Sequence, residues 1–276
     1  MLMLLLGCAA EKAPQENGTL RVLTYNVKGL PDAITGDDTS ARMELIAPLL
    51  RAHDVIGLQE DFQAENHDLL ISEWPAEVSW FDQMVDDRRV YGPGLSSLSA
   101  FAVTADHSVH YHSCNGLIDG SADCLASKGL QVLRLDGPAG QPLWWLNTHL
   151  EAGSGAEDLT ARAEQVEQLL ELIPPLIDED AMIVAGDFNL HTRDAEDVLL
   201  LDAITDGLRL IDSCAAVNCP ESGHIDRIFY RGSSSLALEA SHWERAEEMV
   251  DSQNTPLSDH PAIRVQLDWV SDVDGF

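Results

Sequence analysis

The chain is short of cations. Among 276 residues, 16 Lys and Arg stand against 47 Asp and Glu, a formal net charge of -31, and the lysines are Lys12, Lys28 and Lys128 alone. Binding a nucleic-acid duplex through its phosphates takes a basic stripe that releases counterions. Nothing in this sequence supplies one, so a polyanionic partner is disfavoured unless a divalent cation reverses the field locally. Long apolar runs are missing too. The N-terminal MLMLLLGCAA is too short to span a bilayer and has no basic residues in front of it. There is no internal repeat, no low-complexity block and no linker able to divide the chain. The cysteines lack C-x-x-C spacing and a supporting histidine pattern, which removes the usual signature of a zinc site.

A composition that is 45% hydrophobic supports a sizeable core, and residues 19–272 read as one domain. Leu5-Leu6-Gly7-Cys8 is similar to a bacterial lipobox, in which the cysteine is lipidated and the residues before it are removed. On that reading residues 1–8 are a signal remnant, residues 9–18 a polar tether, and Cys8 a lipid anchor to a membrane. The other four cysteines fall into two local pairs, Cys114 with Cys124 and Cys214 with Cys219, the simplest of three possible pairings. Both features place the protein in a bacterial cell envelope or outside the cell. No protein partner is expected.

Eight segments read as strands: LRVLTYNV, DVIGLQE, LSAFAVT, GLQVLRL, PLWWLNTHL, AMIVAGDF, DRIFY and PAIRVQLDW. Thr39-Ser40 can cap a helix through Leu50, and Leu159 to Leu172 has helical spacing before Pro174-Pro175 stops it. Many strands with a few helices between them predict an α/β or α+β domain. Polar residues gather at the strand ends. Asn26, Glu60, His149, Asp187 with Asn189, and Asp259-His260 each close an apolar segment, while Asp226 lies inside one. If the strands run side by side, these groups meet on one rim, where sheet proteins commonly bind ligands. In VAGDFNL, Asp187 and Asn189 point the same way if the strand persists that far, and two hard oxygen donors suit a cation with its phosphate. The same residues also make ordinary turns.

TYNVKGLP, IGLQED, LNTHLEAG, VAGDFNL, HIDRIFY and LSDHPAI, in this order, resemble the endonuclease/exonuclease/phosphatase superfamily from about Leu20 to Trp269. That superfamily includes DNase I-like nucleases, secreted bacterial sphingomyelinases and inositol-polyphosphate phosphatases. The resemblance implies a DNase I-like four-layer sandwich, two packed mixed β-sheets flanked by helices. It also implies a metal-dependent phosphoesterase, with Glu60 binding Mg2+ (or Mn2+, Ca2+ or Co2+), Asn26 beside it and Asp259 supporting metal binding. Asp187 and Asn189 would orient the attacking water and contact the phosphate. Asp226 would hold the tautomer of His260, and His149 would bracket the phosphate from the other side. Asp187 and His260 are both candidates for activating the water. Lys128, in SKGLQV, resembles the KG before a strand in sphingomyelinase-like members and is a candidate phosphate contact.

Some suggestive stretches are set aside. In HSVHYH only His110 and His112 share a face at strand spacing, and no carboxylate motif joins them. The terminal SDVDGF lacks the remaining ligands of a calcium loop. For the substrate, a lipid phosphodiester such as sphingomyelin is favoured over nucleic acid by the expected export, the membrane tether, the KG segment and the scarcity of lysine. WPAEVSWF, with Trp74, Trp80 and Phe81, is a candidate membrane-entering hairpin or a piece of core. The alternatives are a secreted DNase I-like nuclease, which the His149 and His260 pair fits, and an inactive surface-binding lipoprotein of the same fold. Inositol phosphatases match only in DRI, without the Trp-Cys before it, and abasic-site repair enzymes match least.

Overall fold

The structure is a computed structural model and describes residues 15–74, 78–81, 91–116, 124, 126–221 and 223–271. Cys8, the signal remnant, most of the tether, the side chains of Trp80 and Phe81 and the last five residues lie outside the described residues.

The apolar segments become two sheets. The first contains β1 (Glu16–Asn26), β2 (Val55–Gln59), β3 (Val78–Phe81), β4 (Ser96–Ser99), β12 (Leu236–Arg245) and β13 (Ile263–Ser271), in the order β12-β13-β1-β2-β4-β3. The second contains β5 (Val103–Asp106), β7 (Gly129–Asp136), β8 (Pro142–His149), β9 (Ala181–Asp187), β10 (Ile211–Asp212) and β11 (Asp226–Arg231), in the order β10-β11-β9-β8-β7-β5. The short β6 (Val109–His110) adds to β7. Two neighbouring pairs are parallel, β1 with β2 and β8 with β9. A parallel pair needs a crossover. Here α1 (Asp32–Thr35) and α2 (Thr39–Leu50) supply the first, and α4 (Ala156–Ile177) the second.

Three apolar layers hold these elements together. Leu20, Val22, Val55, Leu133, Trp145, Ile183 and Val265 fill the space between the sheets. Met43, Ile46 and Leu50 of α2 and Leu70 of α3 (Ala64–Ile71) cover Leu23, Ile56 and Leu98 on the outer face of the first sheet. Val166, Leu169 and Ile173 of α4 and Ile204 of α5 (Ala195–Leu208) cover Leu146, Val184 and Phe229 of the second. Helices outside two packed sheets give the expected four layers.

Local details depart from the sequence reading. LSAFAVT is not one strand: Ser96–Ser99 pairs in the first sheet and Val103–Asp106 in the second, so the chain changes sheets across residues 100–102. The cap of α2 is Asp38, whose side chain accepts the Ala41 N–H, while Thr39 donates to the Leu30 carbonyl instead. Pro174 and Pro175 do not stop α4. They sit in its last turn, which buried Ile173 and Ile177 dock against the sheet, so packing outweighs two missing N–H donors. The strand β1 begins at Glu16, inside the expected tether, because Ser271, Val270 and Trp269 of β13 pair with residues 16–18.

Candidate active site

One row of the second sheet concentrates the chemistry. Register places Gly129, His149, Asp187 and Asp226 side by side on β7, β8, β9 and β11. Residues in register point to the same face, so three ionisable side chains are delivered to one side of one edge. From the first sheet, β1 ends at Asn26 and Glu60 follows β2 directly. His260 lies just before β13. The groups meet where the two sheets meet, at the ends of both parallel pairs.

The contacts are short. Asn26 Oδ1 accepts the Lys28 N–H at 3.1 Å, which turns Nδ2 towards Glu60 Oε1 at 3.0 Å and Asp187 Oδ2 at 3.1 Å. Both Asp226 oxygens lie on His260 Nδ1, at 3.0 and 3.2 Å, and Asp187 Oδ2 is 3.7 Å from the same nitrogen. On the other side, Lys128 Nζ is 2.9 Å from His149 Nε2, which is 3.4 Å from Asp187 Oδ2. Asp187 is therefore the hub. Two backbone features set this geometry: Glu60 has φ 59°, and a Cβ on Gly29 would collide with the Glu60 carbonyl that bonds the Gly29 N–H.

Burial and charge set the protonation states. Asp187 is 1% exposed; burial first, and the Asp226 charge second, raise it to about 6. Burial also raises Asp226 and Glu60 against their hydrogen bonds and nearby cations. Burial opposes charge on His260, yet its bond to Asp226 and the charges of Asp226, Asp187 and Asp259 raise it to about 9. His149 goes the other way: burial, with Lys128 and His260 nearby, holds it well below the usual histidine value. One ring is cationic and the other neutral. The neutral ring accepts from the Lys128 ammonium at Nε2, and its Nδ1 has no hydrogen-bond partner among the described residues.

Beneath the edge lies a buried polar layer that the sequence reading overlooked. Gln59 donates to Asn147 Oδ1 at 2.7 Å, and Asn147 donates to the Leu58 and Ser96 carbonyls. Ser97 donates to Gln131 and accepts from the Trp145 indole. These bonds stitch sheet to sheet directly below Glu60 and His149. The available signal was a polar residue two positions before a strand-end site residue, as with Asn147 and His149, since such residues share a face. Ser258 was also missed. Its hydroxyl donates to the Asn26 carbonyl at 2.7 Å and accepts the His260 N–H at 3.2 Å, joining the first strand to the last loop.

The structure brings together Asn26, Glu60, Lys128, His149, Asp187, Asp226 and His260. Asn189 borders this group differently from the expected strand geometry. It has φ 52°, its N–H goes to Asp187 Oδ1, and its side-chain amide donates to the Leu150 carbonyl. Asp259 stands at the rim, its side chain 60% exposed and 3.8 Å from Lys28 Nζ. His110 and His112 lie away from the site, where Gln168 of α4 bonds their main chains. Both expected disulfides are present, Cys114–Cys124 and Cys214–Cys219. Among the described residues, no helix is long and apolar enough to cross a membrane.

The chain is similar to known proteins. Sphingomyelinases of Mycobacterium bovis and Mycobacterium tuberculosis are 27% identical over 288 residues, covering 93% of this chain. The chain spans about half, 54%, of the length of those relatives. Sphingomyelinase C from Streptomyces griseocarneus superposes with a TM-score of 0.65 at 18% identity, covering 90% of this chain and 99% of the other. A double mutant of beta toxin from Staphylococcus aureus with bound magnesium ions gives 0.67 at 17% identity, covering 90% and 99%. At such identities the superpositions speak for the fold. The family model described as Endonuclease/Exonuclease/phosphatase family matches residues 23–272, from the first strand to beyond the last, and the chain belongs to that family.

Proposed function

We propose that this protein is a divalent-metal-dependent phosphodiesterase, acting on a lipid headgroup such as that of sphingomyelin. The observation that carries the reading is the convergence of Glu60, Asp187, Asp226 and His260 on one sheet edge with Asn26, Lys128 and His149. The donor set fits Mg2+. Carboxylate oxygens are the hard ligands it prefers, and burial that raises Glu60 and Asp187 is the electrostatic stress a divalent cation relieves. Glu60 would hold the ion, with Asn26 and Asp187 beside it. When bound, the metal supplies Lewis-acid polarisation of the phosphoryl oxygens.

The chain's own residues do the rest. Asp187, Asp226 and His260 form one proton-sharing cluster that takes up the proton of the attacking water, and its titration belongs to the group as a whole. Asp226 orients the His260 ring and keeps it charged against the phosphate. Lys128 and His149 make the opposite wall, placing a buried ammonium where the phosphate's negative charge would lie. The acidic surface, the small number of lysines and the mycobacterial sphingomyelinase relatives support a lipid headgroup over duplex DNA. Lipidation at Cys8 and residence in the cell envelope form part of the same proposal, checked by mass spectrometry of the membrane fraction against a Cys8→Ala variant.

Hydrolysis of bis(p-nitrophenyl) phosphate, abolished by EDTA and restored by Mg2+, is the expected result. No turnover with any divalent metal would leave a binding protein. A panel of sphingomyelin, phosphatidylcholine, single-stranded DNA and duplex DNA then sets the substrate class, and preference for DNA would overturn the lipid assignment.

A further inference from the structure

A second cluster of metal-ligating groups lies away from the catalytic edge. Asp212 ends β10 and caps the one-turn helix α6 (Ser213–Ala216), Cys214 lies in that turn, and His224 precedes β11. Ligand atoms of Asp212, Cys214 and His224 all lie within 4.8 Å of one another. Cys219 is bonded to Cys214, so its sulfur belongs to the same place, and both sulfurs sit 3.7 and 3.8 Å from the Glu221 carbonyl. Spacing alone conceals this group, because the four residues spread over Asp212-x-Cys214-x4-Cys219-x4-His224 and the hairpin turn gathers them. His224 Nδ1 is buried without a hydrogen-bond partner among the described residues. That nitrogen is committed to no described protein group, and a metal can take it once the ring proton moves to Nε2.

We propose that the reduced chain carries a zinc-class site here, with Cys214, Cys219, His224 and Asp212 as its four donors. Two thiolates, one imidazole and one carboxylate are a donor set that suits four-coordinate zinc, whose bonds to sulfur and nitrogen are about 2.3 and 2.0 Å. On reduction the two sulfurs must part to take separate positions, beside carboxylate and imidazole atoms that already lie within 4.8 Å of the Cys214 sulfur. Charge agrees as well. Arg227 Nη1 lies 3.3 Å from Asp212 Oδ2 and 3.4 Å from His224 Nε2, and in the oxidised chain it is the cation that answers the carboxylate. With two thiolates added, a divalent ion beside Arg227 leaves the cluster formally neutral. The disulfide and the metal are then alternative occupants of one position. A thiol or phosphine reductant delivers two electrons to the Cys214–Cys219 bond and is itself oxidised. The two sulfurs take up two protons, and zinc displaces those protons on binding.

The test uses the full chain, oxidised or reduced with a phosphine, titrated with Zn2+ alone. Metal bound at the catalytic edge is common to both forms and cancels in the difference. The reduced chain should bind one more equivalent than the oxidised chain. Cys214→Ser or Cys219→Ser should abolish that equivalent, and His224→Ala should weaken it at least tenfold. A Cys114→Ser/Cys124→Ser variant should keep it, and Co2+ in its place should show a thiolate charge-transfer band that Cys214→Ser removes. Equal stoichiometry in the two forms would overturn the proposal. So would an extra equivalent that follows Cys114 and Cys124, or one that survives His224→Ala in a reduced chain that has lost its far-UV circular dichroism.

Discussion

His260 and His149 flank Asp187 in opposite charge states, and that asymmetry makes the residue-level predictions. Either histidine changed to alanine should leave a folded protein with activity reduced roughly 10²–10⁴-fold, the usual worth of a positioned acid or base. Circular dichroism and phosphodiester turnover check both halves. Asp226→Asn removes the hydrogen bond and the charge that favour the His260 imidazolium, so its NMR titration midpoint should fall from about 9 towards or below the ordinary histidine value. Asp187 is one of three buried carboxylates, with Glu60 and Asp226, whose raised values tie the stability of the metal-free protein to pH. Its folded value, about 6, lies above the ordinary 3.8, so its contribution is complete below pH 3.8 and is lost as pH rises through 6. Melting temperature in EDTA should carry this decline between about pH 4 and 6, Asp187→Asn should shrink it, and saturating Mg2+ should reverse it. These residues were legible because each sits in a short motif at a strand end. Asn189 departs from strand alternation because β9 ends two residues earlier, at Asp187, and the backbone turns left-handed at Asn189 with φ 52°.

Elements were legible where hydrophobic period and length agreed, as in β1, β2, β8 and β9. The reading failed where tertiary partners decide. β12 alternates between buried and exposed positions from Leu236 to Ser241, where a register shift breaks the pattern, and its polar LALEASHWER gives little strand signal because half of it faces solvent. The division of LSAFAVT between two sheets has no local signal, since both halves are apolar and only their partners differ. The inter-sheet polar layer was equally hidden, as its members look like ordinary strand residues until the facing sheet is in place. Asn147 is its centre. Asn147→Leu would strand Gln59 and the Leu58 and Ser96 carbonyls, costing about 1–3 kcal/mol per unsatisfied group, and chemical denaturation should register that loss. Gly186 is the element-scale constraint on Asp187. With φ 150° and an added Cβ falling 2.0 Å from the Thr148 carbonyl oxygen, it has no room for a methyl, so Gly186→Ala should push β9 from β8 and lower both stability and turnover.

The whole molecule combines a strongly acidic composition with two cations, Lys128 and His260, set among the carboxylates of the site. Buried Lys128 faces the hub, while the excess of 47 acidic over 16 basic residues repels polyanions, so turnover of a neutral-headgroup lipid should exceed that of duplex DNA at low salt. The Cys114–Cys124 bond closes the segment that leads into Lys128, and replacing both cysteines by serine should cost about 2–4 kcal/mol, read as a lower melting temperature. Strand pairing has a further geometric result. Glu16 lies opposite Ser271 at one end of β1, and Asn26 stands at the other, ten residues and roughly 33 Å away. The eight peptide steps from Cys8 to Glu16 reach at most roughly 28 Å. If Cys8 is lipidated as proposed, so short a tether cannot lower the Asn26 end of β1 onto the membrane while that strand stands upright, and β1 must tilt for the mouth of the site to meet the anchoring leaflet.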